Sequence, residues 1–281
     1  MKVIDTFCFF NELDLLEFRL KLLGDKVDKF VICESNLTHS GKPKPYHLEE
    51  NMARYDRWKD KIVYLPIEQS AENIVFDKVE TYTPTDGAWV LENEQRNALS
   101  YANEFIEDDD LVMISDLDEM PNPGAIDALI NSAVPTSPDK VVSLTVLFHC
   151  YYMNCQMHGR DRLWNATVAC SGKAFKSTTP QYLRDNRNHF PRMPNAGWHF
   201  SYLGGIDKIK TKIEAFAHTE FNRPHIASED HIISAVEEAK DILQRDNIWY
   251  EYVPVGNYPE PLRSLMLEYP QFIKNVIREL A

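Results

Sequence analysis

Three features of this 281-residue sequence predict an α/β fold built on a Rossmann-like nucleotide-binding sheet with helices on both faces. Short Val/Ile/Leu-rich runs alternate with helix-spaced leucines through the first half, the pattern of βαβ units. One such run, Leu111-Val112-Met113-Ile114-Ser115, ends abruptly in Asp116-Leu117-Asp118-Glu119 followed by Pro121 and Pro123. That is the form of a strand buried on both faces that delivers acids to the carboxyl edge of a parallel sheet, where open α/β folds bind ligands. The hydrophobic content of 44%, with no Gly/Ser- or Pro-rich linker and no repeat of fixed period, suffices for one large core. Residues 1–281 therefore read as a single domain, with a nucleotide-binding half over 1–133 and an acceptor-side half over 134–281.

Taken in order, residues 3–10 read as a strand. Residues 12–23 read as a helix through Leu13, Leu16, Leu20 and Leu23 that stops at Gly24, and 29–34 as a second strand. A third strand is expected over 61–65, a long helix over 88–105, the acid-bearing strand over 111–115, and a helix over 123–132 with proline and glycine at its start. The second half is mixed, with strands over 141–149, 168–175 and 199–203 and helices over 206–217 and 229–243.

Lys and Arg total 30 against 43 Asp and Glu, a net charge of −13, which argues against a nucleic-acid or anionic-membrane surface. An anionic small substrate would need a metal or a local Arg/Lys cluster. No apolar run approaches the ~20 residues of a membrane span, and Met1-Lys2-Val3-Ile4 enters a strand at once without a signal-peptide layout, so a soluble cytoplasmic protein is expected. Five cysteines, odd in number and without C-x-x-C spacing, read as buried thiols.

The Asp-x-Asp pair is the centre of the expected site. In a turn after a strand, Asp116 and Asp118 can converge as hard oxygen ligands for Mg²⁺ or Mn²⁺, and such a metal would carry a diphosphate. A solvated acidic turn is the plainer alternative. Arg96, on the helix before the acid strand, has a planar fork suited to a phosphate or base, although Glu92 four residues earlier also makes an ordinary helix ion pair. Asn11-Glu12 and Glu34-Ser35-Asn36 fall at strand ends where a base and ribose would lie, or serve as caps and turns. In Gly197-Trp198-His199-Phe200-Ser201, aromatic rings suit stacking on a sugar, and His199 beside the acid pair becomes a candidate third metal ligand rather than a core histidine.

Taken together, Phe9-Phe10-Asn11-Glu12, Glu34-Ser35-Asn36 with Thr38-His39-Ser40-Gly41-Lys42-Pro43, Glu92 with Gln95-Arg96-Asn97, Ser115 to Pro121, Tyr151-Tyr152-Met153-Asn154 and Gly197 to Ser201 with Gly204-Gly205 resemble glycosyltransferase family 17, the β-1,4-mannosyl-glycoprotein 4-β-N-acetylglucosaminyltransferase family, over most of the chain. The resemblance implies a GT-A-like fold, a UDP-sugar donor, transfer of N-acetylglucosamine to a glycan hydroxyl, and inversion at the anomeric carbon. It carries Asp116 and Asp118 over as metal and donor residues and Gln95 and Arg96 as donor-pocket residues; Asn11 and Glu34 are expected beside the donor, and Tyr152 and Trp198 as sugar-binding residues on the acceptor side. The animal members it resembles are membrane-anchored Golgi proteins. This chain starts at its first strand, so a cytoplasmic enzyme with a different acceptor is expected.

In the expected mechanism a cation between Asp118, assisted by Asp116, and the donor diphosphate neutralises the leaving nucleotide, while a carboxylate across the sugar deprotonates the acceptor. Asp207, after a Gly-Gly turn at a helix start, is the first candidate for that base and Glu220 the second. Asp207 also fits as a simple helix N-terminal acid. Two rival functions share parts of the pattern. A nucleotidyltransferase would use paired acids and a metal but usually has a Gly-rich phosphate loop near its N-terminus, and Gly24 is the only glycine in the first forty residues. A carbohydrate-binding protein would keep the aromatics without needing the acid pair and a base.

Overall fold

The computed structural model describes residues 1–76, 83 and 85–275. Among these residues eleven strands form one mixed sheet: β1 (Val3–Phe9), β2 (Lys29–Ser35), β3 (Ile62–Ile67), β4 (Leu111–Asp116), β5 (Glu119–Pro121), β6 (Val142–Cys150), β7 (Cys155–Gly159), β8 (Leu163–Ser171), β9 (Arg192–Met193), β10 (Gly197–Ser201) and β11 (Ile248–Tyr252). The main path runs β11-β7-β6-β8-β4-β1-β2-β3. Strands β3, β2, β1 and β4 are parallel, and β8 joins β4 antiparallel. The βαβ reading of the first half therefore holds, and the fold is mixed α/β.

Alternation along the parallel strands sends side chains into two cores. Phe7, Phe9, Phe30, Ile32, Leu111 and Met113 pack on one face with helix Leu13–Leu23 and helix Pro123–Ile130. Ile4, Val31, Cys33, Val112 and Ile114 pack on the other with Leu99 and Ala102 of the 3₁₀ segment Ala98–Phe105 and with Phe175 and Leu183. Buried on both faces, β4 has no polar alternation, which is why Leu111 to Ile114 is a continuous apolar run. A third core lies between β6, β7 and β11 and the helices Ile206–Ala215 and Glu229–Glu237.

Some elements differ from the sequence reading. The long helix is α over Gly87–Asn97 and then tightens to 3₁₀. The strand expected over 168–175 lies at Leu163–Ser171, because the Ser171 hydroxyl accepts from Ala174 N and caps a new helix, Gly172–Lys176. The expected 199–203 strand is Gly197–Ser201. It lies against β5, and a Cβ at Gly197 would stand 2.1 Å from the Met120 carbonyl oxygen, so only glycine lets β10 approach the turn that carries the acids. The helix expected over 229–243 ends at Glu237. No helix among the described residues is long and apolar enough to cross a membrane.

Candidate active site

Strands β1, β2 and β4 end at one edge of the sheet, where Cys8 of β1 pairs in register with Asp116 of β4. A cavity of about 630 Å³ opens there, with Asp116, Asp118, Arg96, Arg184, His199 and Lys212 among its lining residues. Leu117 between the acids is buried in the core, so the turn from β4 to β5 is anchored at its middle and both carboxylates reach the cavity.

Every oxygen of the two acids faces a positively charged or ionisable partner. Asp116 Oδ1 lies 3.0 Å from Arg96 Nη2 and Oδ2 2.8 Å from Arg184 Nη2. Asp118 Oδ2 lies 2.6 Å from Lys212 Nζ and Oδ1 3.3 Å from His199 Nε2. Burial opposes ionisation of Asp116, but the charges of Arg184 and Arg96 outweigh it and hold the carboxyl well below the usual range. For Asp118 burial is likewise outweighed by Lys212 and His199. A local basic cluster of Arg96, Arg184 and Lys212 thus stands beside the acid pair.

The sequence reading did not find Arg184, Arg187, Glu119 or Lys212 as site residues. Glu119 is fully buried and accepts from Arg184 Nη2 at 2.5 Å and Trp164 Nε1 at 3.1 Å, while its other oxygen accepts from the Asp116 backbone N–H at 3.1 Å. It ties the acid turn to helix Pro180–Asp185, which carries Arg184. That helix is short and shows no periodic signal. Its one sequence cue is Thr179-Pro180, a cap followed by an N1 proline.

The other expected site residues fall into three groups. Gln95, Arg96, Asp116, Asp118, His199 and Glu220 share the main cavity. Arg96 makes the helix ion pair with Glu92 at 2.7 Å and also holds Asp116 at 3.0 Å, a contact its position in the sequence did not indicate. Gln95 donates to the carbonyls of Cys33 at 3.0 Å and Phe9 at 3.3 Å, and its Oε1 lies 2.8 Å from His39 Nε2, so it joins two strand ends to the His39 loop. Asn11 and Tyr152 line a second cavity of about 430 Å³, which shares Glu12, Tyr202 and Lys212 with the first.

Glu34, Trp198 and Asp207 line neither cavity. Glu34 is fully buried and accepts from Lys44 Nζ, the backbone N–H groups of His47 and Leu48, and the Tyr64 hydroxyl, so it is a structural acceptor with no capacity left for a ribose. Trp198 and Phe200 point into the core, whereas His199 and Ser201, of opposite parity on β10, face the cavity. The Trp198 ring is therefore closed to a sugar. Asp207 is exposed in the first turn of helix Ile206–Ala215, which Gly205 starts at φ 87°. Glu220 has the opposite surroundings: it is buried, Oε1 lies 2.7 Å from His218 Nδ1, and Oε2 makes no hydrogen bond among the described residues.

A divalent cation is tested by the donor set. Among the described residues no group of three His, Cys, Asp or Glu side chains is gathered around one point. Asp116 has both oxygens held by guanidinium groups and is not free to ligate. Asp118 and His199 do fit, offering a carboxylate and an imidazole in the cavity, and Lys212 shows that the carboxylate already addresses a cation there. Among the described residues Arg96 Nε, His199 Nδ1 and Glu220 Oε2 are buried without hydrogen-bond partners, and all three residues line this cavity. Native folds rarely leave such atoms unsatisfied except where a ligand, water or ion completes them.

The family model described as glycosyltransferase family 17 matches residues 1–255. Over 128 residues the chain is 30% identical to the beta-1,4-mannosyl-glycoprotein 4-beta-N-acetylglucosaminyltransferase of Rattus norvegicus and likewise to that of Homo sapiens. The match covers 43% of this chain and 22% of each relative, so the chain corresponds to about a fifth of their length. Among solved structures, the inositol-1-phosphate CTP transferase from T. maritima aligns over 78% of this chain and 96% of its own, with 8% identity and a TM-score of 0.36, too low to carry over any chemistry.

Proposed function

This chain belongs to glycosyltransferase family 17, and from that membership we propose that it is a metal-dependent, inverting N-acetylglucosaminyltransferase that uses a UDP-sugar and a glycan hydroxyl. The observation that carries this reading is the convergence of Asp116 and Asp118 on one cavity whose other walls hold Arg96, Arg184, Lys212 and His199. A diphosphate with its cation needs such an arrangement of paired acids and flanking positive groups. The names of the rat and human relatives support N-acetylglucosamine as the sugar.

In this reading Asp118 and His199 would hold Mn²⁺ or Mg²⁺, which would supply Lewis-acid neutralisation of a leaving diphosphate. Arg96 and Arg184 fix Asp116 in its ionised form and set the positive field around the phosphates. The acceptor oxygen attacks the anomeric carbon as the bond to the diphosphate oxygen breaks and the nucleotide leaves with that electron pair. A single displacement of this kind inverts the configuration. The acceptor proton passes to a carboxylate, and Glu220, which lines the cavity with one oxygen unbonded, is better suited than the exposed Asp207.

The test is release of UDP from UDP-N-acetylglucosamine by the purified protein, with Mn²⁺ and with EDTA, across a panel of glycan acceptors. Metal-stimulated release with a new glycosidic bond supports the reading. Binding of sugars without any donor turnover under all conditions would leave a carbohydrate-binding protein as the better description.

A further inference from the structure

Lys212 is the cationic group on the acid pair that is best able to leave. Arg96 and Arg184 are nearly fully buried and each holds a second carboxylate, Glu92 and Glu119. The Lys212 side chain keeps 28% of its surface exposed, and its ammonium has Asp118 as its one ion-pair partner among the described residues. Its stem runs past Tyr202, with Nζ 5.6 Å from the ring centroid, and the residue lines both cavities, so open space lies on either side of it. A lysine head on four rotatable methylenes swings freely, unlike an arginine fork locked by several bonds.

The Nζ–Oδ2 separation of 2.6 Å puts a full positive charge on the carboxylate whose other oxygen, Oδ1, faces His199 and would ligate a cation with it. Metal–carboxylate distances are about 2.0–2.2 Å, so a divalent ion on Oδ1 would share one carboxylate with the ammonium on Oδ2, and the two like charges would repel in a site screened from water. Each therefore weakens the hold of Asp118 on the other. Building on the reading that Asp118 ligates a divalent cation, we propose that Lys212 is an internal counter-ion that competes with the metal for Asp118 and thereby weakens metal binding when no nucleotide is present. The ammonium keeps the carboxylate neutralised in the resting protein, and its charge opposes entry of the metal unless it swings away.

The experiment is a titration of Mn²⁺ by electron paramagnetic resonance of the free ion, without nucleotide, on the wild type and on Lys212→Met, Lys212→Gln, Lys212→Arg and Asp118→Asn, each checked for folding by circular dichroism. Loss of the competitor should tighten Mn²⁺ binding roughly tenfold in Lys212→Met and Lys212→Gln, while Lys212→Arg, which keeps the charge, stays near wild type. Unchanged or weaker Mn²⁺ binding in both neutral variants, with binding lost in Asp118→Asn, overturns the competition and leaves the metal reading standing. Wild-type Mn²⁺ affinity in Asp118→Asn, or no Mn²⁺ binding by the wild type and the neutral variants alike, removes the metal reading and the competition with it.

Discussion

Arg19 grips Asp5 through nitrogen–oxygen contacts of 2.7 and 2.8 Å, with both side chains completely buried. The same guanidinium donates to Ser115 Oγ at 2.6 Å and to the carbonyls of Asp116, Leu117 and Glu119 at 3.1, 3.0 and 2.6 Å. Helix Leu13–Leu23 thereby holds the whole acid-bearing turn from beneath, using the five-donor fork that only arginine possesses.

Removing this support should be costly. Arg19→Met is expected to lose about 3–5 kcal/mol, since it strands a buried carboxylate together with three carbonyls. Adding Asp5→Leu should restore part of the stability but not turnover, because the turn carbonyls stay unpaired. Urea denaturation of the single and double variants measures the first effect and an activity assay the second. Equal stability of Arg19→Met and wild type would show that the clamp contributes nothing.

Asp118→Asn should abolish transfer and metal-dependent UDP binding with little change in melting temperature. Asp116→Asn should also lower melting temperature, because two buried guanidinium groups lose a shared counter-charge. Asp116 has a folded pKa depressed below its unfolded value, so its stabilising contribution is present above the usual carboxylate range and is lost as pH falls through and below it. Melting curves between pH 3 and 7 should therefore be less steep in acid for Asp116→Asn than for wild type.

Arg96→Ala is expected to weaken UDP affinity more than Arg96→Lys, since lysine keeps the charge and loses the fork that spans Glu92 and Asp116. Calorimetric titration of UDP distinguishes the two. Changes confined to melting temperature in both variants would assign Arg96 to structure alone.

The base is tested by a pair of substitutions. Glu220→Gln should bind donor normally and transfer about 10²–10⁴-fold more slowly, whereas Asp207→Asn, altering an exposed carboxylate outside the cavity, should stay near wild type. The reverse ranking in single-turnover transfer, with donor binding intact in both, would return the role to Asp207.

The five cysteines should resist alkylation in the native protein. Burial raises every thiol, Cys8, Cys155 and Cys170 to about 12, so almost no thiolate is present at pH 8. Mass spectrometry after iodoacetamide at pH 8 should show little modification without urea and five adducts with it. These folded values lie above the unfolded ones, so the linked stability is full below about pH 9 and falls as pH climbs toward 12.

The sequence by itself determined the strands that build the floor of the site and the place where it opens. Apolar runs such as Leu111–Ser115 have one low-energy use, burial on both faces of a sheet, and the acids that end the run must then emerge at its edge. Local pattern also located helix Leu13–Leu23 and Arg96. It failed where the signal was short: β7 and β11 escaped it, although Ile248-Trp249-Tyr250-Glu251-Tyr252 alternates buried and exposed positions at its start and could have been read as a strand. Only the tertiary structure decided which polar residues meet. Arg184 and Lys212 reach Asp116 and Asp118 across 68 and 94 residues of chain, Glu34 turns inward to local donors, and the parity of β10 sends His199 to the cavity and Trp198 to the core. A charge is drawn to its partner by distance in space, and no periodicity in the chain encodes that distance.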